Sequence, residues 1–241
     1  MARRISRKEL KKDELRETLS HGAAAVAAHQ RLTWIIVGSA LAVLLAVLGW
    51  RYYSQRQTAQ ASAELTAAMK VYSARIRTPN EPAGPDEVTY VEEKNKFTDS
   101  AKQFADVAGR YARTQPGRTA RYYAALSLVQ IERNEDAERE LKALESSGDE
   151  PLAPLARFQL AQLYEKTSRA EQALQLYQRL ADNPAVFVPR AVVLLKMADH
   201  HSKTNPAEAT KLYNQVKTEF PDTQAAQQAD QGLQLLPPAK T

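Results

Sequence analysis

Two histidines stand side by side at His200-His201, and two acidic pairs occur at Glu92-Glu93 and Glu135-Asp136. These are the residue types from which a metal centre or a general acid–base couple is built. A catalytic metal needs three or four ligands converging on one point. Adjacent helical residues project about 100° apart, so His200 and His201 are poorly placed to share one ion. The expected arrangement is one ring packed and one facing solvent. His21 and His29 lie far away in the N-terminal tail, and the acidic pairs sit in charged stretches that read as solvated helix surface. No G-x-G-x-x-G, P-loop, G-x-S-x-G or H-E-x-x-H occurs. The chain has no cysteine, which removes thiol catalysis, Cys-ligated zinc, iron–sulfur clusters, disulfides and a lipid-modified cysteine anchor. The expectation is a non-enzymatic protein with no catalytic, cofactor-binding or metal-binding residues, no cofactor and no small-molecule substrate.

Composition points to helices. The 241 residues include 40 Ala and only 8 Gly, and 44% are hydrophobic. Rich Ala with scarce Gly favours helix over sheet. The charge is unevenly spread. Residues 1–31 hold eight Lys/Arg against four Asp/Glu, residues 32–50 hold none, and the remainder holds 25 basic against 24 acidic groups. A near-neutral body argues against nucleic acid as a partner, which calls for a basic face.

The uncharged run from Leu32 to Trp50 is nineteen residues long, or about 28 Å of helix, close to the roughly 30 Å apolar thickness of a bilayer. Trp34 stands at one end and Trp50, Tyr52 and Tyr53 at the other, as interfacial aromatics do, with Arg31 and Arg51 bracketing the run. A cleaved signal peptide is the rival reading, with small-residue sites at 59–61 and 61–63. The 31-residue lead, the long apolar run and the bulky WRYY behind it disfavour that reading. The eight basic residues of the tail set the expected orientation, N-terminus cytoplasmic and body outside. Small residues at Gly38, Ala42, Ala46 and Gly49 share one side of the span, where a second helix could approach; Ala and Gly are also common in any membrane helix. In the tail, Ser6-Arg7-Lys8-Glu9 has the form of a capping box and precedes Leu10, Leu15 and Leu19. This is either a short amphipathic helix on lipid or protein, or a solvated basic tail that sets topology, and charge runs favour the latter.

Behind the span, Ala-rich sequence reads as a continuing helix up to the Pro-rich stretch 78–85. Beyond it a repeat emerges. Ala101, Ala137, Ala173 and Ala209 are 36 residues apart; Leu141, Tyr177 and Tyr213 follow by four, and Leu144, Leu180 and Val216 by seven. Pro116, Pro151, Pro184 and Pro221 punctuate the units. The unit Leu160-Ala161, Tyr164, Ala173, Tyr177, Leu180, Pro184 resembles the tetratricopeptide pattern, a helix–turn–helix of about 34 residues. Two units are complete (152–184 and 187–221), one is degenerate (118–148), a half-unit precedes it (88–114), and 224–236 reads as a terminal helix. The fold class is all-α: an N-terminal transmembrane helix followed by a tetratricopeptide-repeat-like α-solenoid. The expected organisation is a basic cytoplasmic tail (1–31), the span (32–53), a connecting helix and Pro-rich loop (54–86), the repeat domain (87–235) and a flexible C-terminus (236–241).

In such repeats the first helix of each unit lines the binding groove. That register assigns Tyr122, Phe158, Gln162, Glu165, Lys166 and Asp199 to a partner-binding groove, with Arg118, Arg121, Arg157 and Arg190 near the starts of the first helices. A mixture of aromatic, amide and charged groups suits an extended peptide. The layout of tail, single span, Gly49-to-Tyr53 exit, Ala-rich helix and degenerate repeats resembles the YfgM-like ancillary subunits of the bacterial SecYEG translocon. The resemblance covers roughly residues 32–235, and its specific parts are the exit motif and the layout. It implies an inner-membrane, single-pass protein with a periplasmic repeat domain. Its implied partners are the translocon channel, a periplasmic chaperone and client polypeptides. The longer basic tail and the 78–85 loop depart from that pattern. The Phe220-Pro221-Asp222 and Ala225 stretch also resembles periplasmic repeat proteins of envelope assembly and cell division, which defines the alternative function.

Overall fold

The computed structural model describes residues 30–82, 84–85, 87–149 and 151–237. The capping box at Ser6 and the basic cluster before residue 30 lie outside the described residues. Helix α1 runs from Gln30 to Tyr72, 43 residues without a break. The chain divides into two compact units, one ending at Arg56 and one beginning at Gln57.

In the first unit, α1 is apolar and bare. Every described side chain from Trp34 to Arg56 is exposed, including Ile35, Ile36, Leu41, Leu44, Leu45 and Leu48. The helix is long and apolar enough to cross a membrane, and none of its apolar window is buried within the protein. Arg56 lays its guanidinium over the Tyr52 ring, 4.6 Å from the centroid.

The second unit starts in the last turns of α1. Ala61, Ala68 and Val71 are buried there. Small residues seven apart lie on one side of a helix and let a neighbour come close. Ala61 and Ala68 share a cluster with Phe104, Val107, Ala108, Tyr111, Ala120 and Ala124. The Tyr72 ring meets Phe97, Phe104 and Tyr123 edge-on at 5.4–5.9 Å. The expected domain start at residue 87 therefore falls inside this unit. The helix ends at Tyr72, short of the Pro-rich loop, and a parallel pair intervenes: β1 (Arg75–Ile76) beside β2 (Thr89–Tyr90). Two-residue strands are too short to show alternation. The loop between them is tied by arginines. Arg75 pairs with Glu81 and with Glu87, and Arg77 donates to the Glu81 carbonyl (2.8 Å) and to Thr89 Oγ1 (3.1 Å).

Among the described residues eight helices follow: α2 (Glu93–Arg110), α3 (Gln115–Gln130), α4 (Asn134–Glu145), α5 (Leu152–Lys166), α6 (Ala170–Asp182), α7 (Arg190–Thr204), α8 (Pro206–Glu219) and α9 (Gln224–Leu235). Each packs on the next. The 36-residue alanines sit where paired helices cross: Ala137, Ala173 and Ala209 are fully buried and Ala101 nearly so. Only a methyl group lets two helix backbones approach there. Leu141, Tyr177, Tyr213, Leu144, Leu180 and Val216 fill the interior around them.

The turns explain the period. The amides of Arg133 and Arg169 reach back to the carbonyls of Leu128 and Tyr164, the six-to-one bond of a Schellman turn. Glu132 and Ser168, 36 residues apart, take the left-handed conformation that this turn demands, with φ near 60°. The third unit turns differently. Asn205 caps α8 by accepting from the Glu208 amide, and Pro206 opens the helix. Helix α9 follows Asp222, also left-handed, and is capped by Thr223. It buries one residue completely, Ala229, and brings Gly232 so close to Tyr213 that an added Cβ would lie 2.4 Å from the ring.

Candidate protein-interaction site

Helices α3, α5 and α7 are the first helices of successive units. The register is visible in the burial. Leu160, Ala161, Leu163 and Tyr164 of α5 recur 34 residues later as Leu194, Leu195, Met197 and Ala198 of α7, all buried. The hydrogen bonds follow the same register. Tyr177 donates to Glu165 Oε2 at 2.9 Å, and Tyr213 donates to Asp199 Oδ1 at 2.7 Å. Each is a bond from a second helix to the first helix of its own unit. Burial raises the pKa of both tyrosines, and the facing carboxylates raise it further, so the hydroxyls remain donors across physiological pH.

This geometry distributes the sequence-assigned residues. Phe158, Gln162, Glu165 and Lys166 come together on α5. Phe158 is half-buried, its ring 5.8 Å from that of Tyr177. Lys166 is exposed, with Nζ 3.5 Å from the Val129 carbonyl of α3. Asp199 is exposed on α7 and lines a cleft of about 670 Å³ with Lys203, Tyr213, Gln228, Gln231 and Leu235. Tyr122 stands apart. It is 9% exposed, meets Tyr123 edge-on and belongs to the core. Burial pushes its hydroxyl up to about 12, partly offset by a hydrogen bond with Gln159.

The four arginines near the first-helix starts are all engaged. Arg118 pairs with Asp149, Arg121 with Glu140 (3.2 Å), Arg157 with Glu145 (2.9 Å) and Arg190 with Glu219. They tie the first helices to neighbouring segments. Between α4 and α5, Glu138 accepts from Tyr164 (3.0 Å), Lys142 (2.7 Å) and Arg169 (2.7 Å), while Arg169 also covers the Tyr164 ring. Desolvation pulls the Glu138 carboxyl upward, but the three donors together outweigh it and hold the group below its ordinary range.

A feature not anticipated is the loop before α7. Ala185 and Val188 form an antiparallel bridge, Val188 is buried, and Val186 and Phe187 point outward at 91% and 62% exposure. They border a cleft of about 730 Å³ lined by Pro151, Pro154, Arg157 and Pro184. A single V-F dipeptide carries no periodic signal, so only the bridge reveals it. The histidine pair also differs from expectation. Both residues are half-buried, their rings meet edge-on at 5.3 Å, and His201 Nδ1 is buried without a hydrogen-bond partner. Among the described residues no group of three His, Asp or Glu is placed to hold a metal ion.

Residues 28–189 match the family model of the tetratricopeptide repeat-like domain. The chain belongs to that family. The match reaches from α1 through α6, and α7, α8 and α9 extend beyond it with the same helix-on-helix packing. Searches among curated proteins and among solved structures return no match. Tetratricopeptide repeat-like domains are characteristically protein-interaction modules.

Proposed function

We propose that the protein is a membrane-anchored interaction scaffold whose first-helix face binds polypeptide. The observation that carries this reading is the pairing of a repeat-like domain with a helix whose apolar window is entirely uncovered within the protein. A run of Trp, Ile, Val and Leu left bare in water is costly at roughly 25 cal/mol per Å², and a bilayer removes that cost. In this reading the span sits in a bacterial inner membrane, the N-terminus is cytoplasmic and the repeat domain is periplasmic. The charge of residues 1–31 and the aromatic ends of the span support that orientation. Gly38, Ala42, Ala46 and Gly49 form a flat side of α1 where an added Cβ at Gly38 or Gly49 meets nothing, and a partner helix would seat there.

The favoured setting is an ancillary translocon subunit that assists secreted or periplasmic clients. What supports it is the layout of tail, span, aromatic exit and repeats. Site-specific photo-crosslinking in native membranes tests it. Probes along α1 should capture a translocon channel subunit, and probes at Phe158, Gln162 and Lys166 should capture client chains. Bulky replacements at Gly38 and Ala42 should weaken the first set and spare the second. Failure to crosslink the channel, with client capture intact, moves the scaffold to the envelope-assembly or cell-division setting. N-terminal sequencing of the mature protein that starts near residue 62 or 64 overturns the anchor.

A further inference from the structure

The loop joining α6 to α7 carries apolar side chains where a turn ordinarily carries polar ones. The Val188 amide donates to the Ala185 carbonyl at 3.2 Å, so residues 185–188 form a β-turn with Val186 and Phe187 at its two central positions. Such positions usually hold Gly, Pro, Asn, Asp or Ser, each for a reason of backbone geometry or local hydrogen bonding that neither residue supplies. The core does not need them either. Both side chains stand outside, while Val188 behind them is buried. Pro184 and Pro189 bracket the turn, and Arg190 Nε donates to the Ala181 carbonyl at 3.0 Å across its base. The result is an apolar knob directly beside the cleft of about 730 Å³, which both side chains help to line.

We infer that this knob and cleft form a contact between two copies of the chain, each knob seated in the other copy's cleft about a two-fold axis. The inference goes beyond the scaffold reading and is independent of what the first-helix face binds. A knob beside its own receptor is self-complementary, which is what a two-fold contact requires. Phe187 presents on the order of 150 Å², and Val186 a similar area. Two knobs and the walls they cover bring the buried total to roughly 1,200 Å², the lower edge of specific interfaces. The walls favour a side-chain knob over an extended peptide. Pro151, Pro154 and Pro184 have no amide hydrogen to offer a peptide backbone, and their rings are apolar surface for an aromatic ring. Charge lets identical copies meet. Arg157 and Glu145 pair within the cleft at 2.9 Å. Asp182 remains on the rim, where it accepts from Gln178, and the exposed Arg179 lies three residues earlier on α6. The patch thus carries both signs, so Asp182 of one copy faces Arg179 of the other without like-charge repulsion.

The absence of cysteine makes the test clean: Asn183→Cys, at an exposed position on the cleft rim, introduces a single thiol. The full-length variant in detergent, treated with a short bismaleimide, should give a crosslinked dimer. Sedimentation equilibrium of the full-length wild type should show a reversible balance of monomer and dimer. The double change Val186→Asn, Phe187→Asp installs residues that turns accept, and it should weaken dimerisation by about tenfold or more with an unchanged circular dichroism spectrum. A wild-type chain that stays monomeric at every concentration, with no crosslinked dimer, overturns the inference. So does a dimer that survives in the double variant, whether or not bulky replacement of Gly38 and Ala42 in the span disrupts it. Crosslinks in native membranes that join Asn183→Cys only to a chain of different mass assign the knob to a foreign partner and overturn the self-contact.

Discussion

Helices α5 and α7 bury neighbouring residues, while α6 and α8 bury a stripe. In α7, Val193, Leu194, Leu195, Met197 and Ala198 are all interior; in α8 only Ala209, Leu212, Tyr213 and Val216 are. The first helices are covered on several sides, and the second helices show one side to the core and the other to solvent. The difference teaches that the two helices of a unit are not interchangeable. The first is covered on several sides and tied to neighbouring segments by ion pairs near its start. The second is held by one stripe and carries most of the acidic charge.

The sharpest test of that comparison is truncation on a side of α5 that a one-sided helix would expose. Leu163→Ala, at a position 2% exposed, should cost about 2–5 kcal/mol in denaturant unfolding, whereas Gln175→Ala on the open side of α6 should stay within about 0.5 kcal/mol. Next in size is overpacking. Ala173→Leu at the α5–α6 crossing should cost about 1–3 kcal/mol, and an unchanged midpoint would break the repeat register. Tyr177→Phe or Tyr213→Phe should cost about 1 kcal/mol each by removing the bond to Glu165 or Asp199. Ser168→Gly runs the other way, gaining about 0.5–1 kcal/mol by relieving a left-handed non-glycine residue in the turn. The smallest effect is in acid. Glu138 is held below its ordinary value of 4.5, so its contribution is present above that pH and is lost as pH falls through the lower, folded value. Glu138→Gln should therefore flatten the acid limb of the stability profile and leave the shape near pH 7 unchanged.

Much of this was legible in the sequence, because alanine at a helix crossing is set by geometry and recurs with the unit. Ala137, Ala173 and Ala209 marked the crossings, and Pro and Asn marked the turns. The apolar run at 32–50 likewise declared a helix with no partner inside the protein. Other features had no local signal. The parallel pair at Arg75 and Thr89 is too short to alternate. Tyr122 lies on a first helix, as the register said, but its 9% exposure depends on Tyr123 and Gln159 beside it, and a one-dimensional register cannot rank the sides of a helix covered on several. The sequence placed the arginines at 118, 121, 157 and 190 near the first-helix starts but carried no sign of their partners, because the carboxylates arrive from 12 to 31 residues away.

Helix α9 gives the repeat stack an order of assembly. It is the last described helix to leave the ribosome, and Gly232 fits against Tyr213 so closely that no other residue shares the position without moving the ring. Until α9 docks, the side of α7 and α8 that it covers stays wet, and the nascent domain ends in an open apolar surface of the kind that recruits chaperones or aggregates. Losing the last dozen helical residues would thus produce not a slightly shorter scaffold but a sticky one. Quality control that reads exposed apolar surface would register at this joint whether α9 has docked.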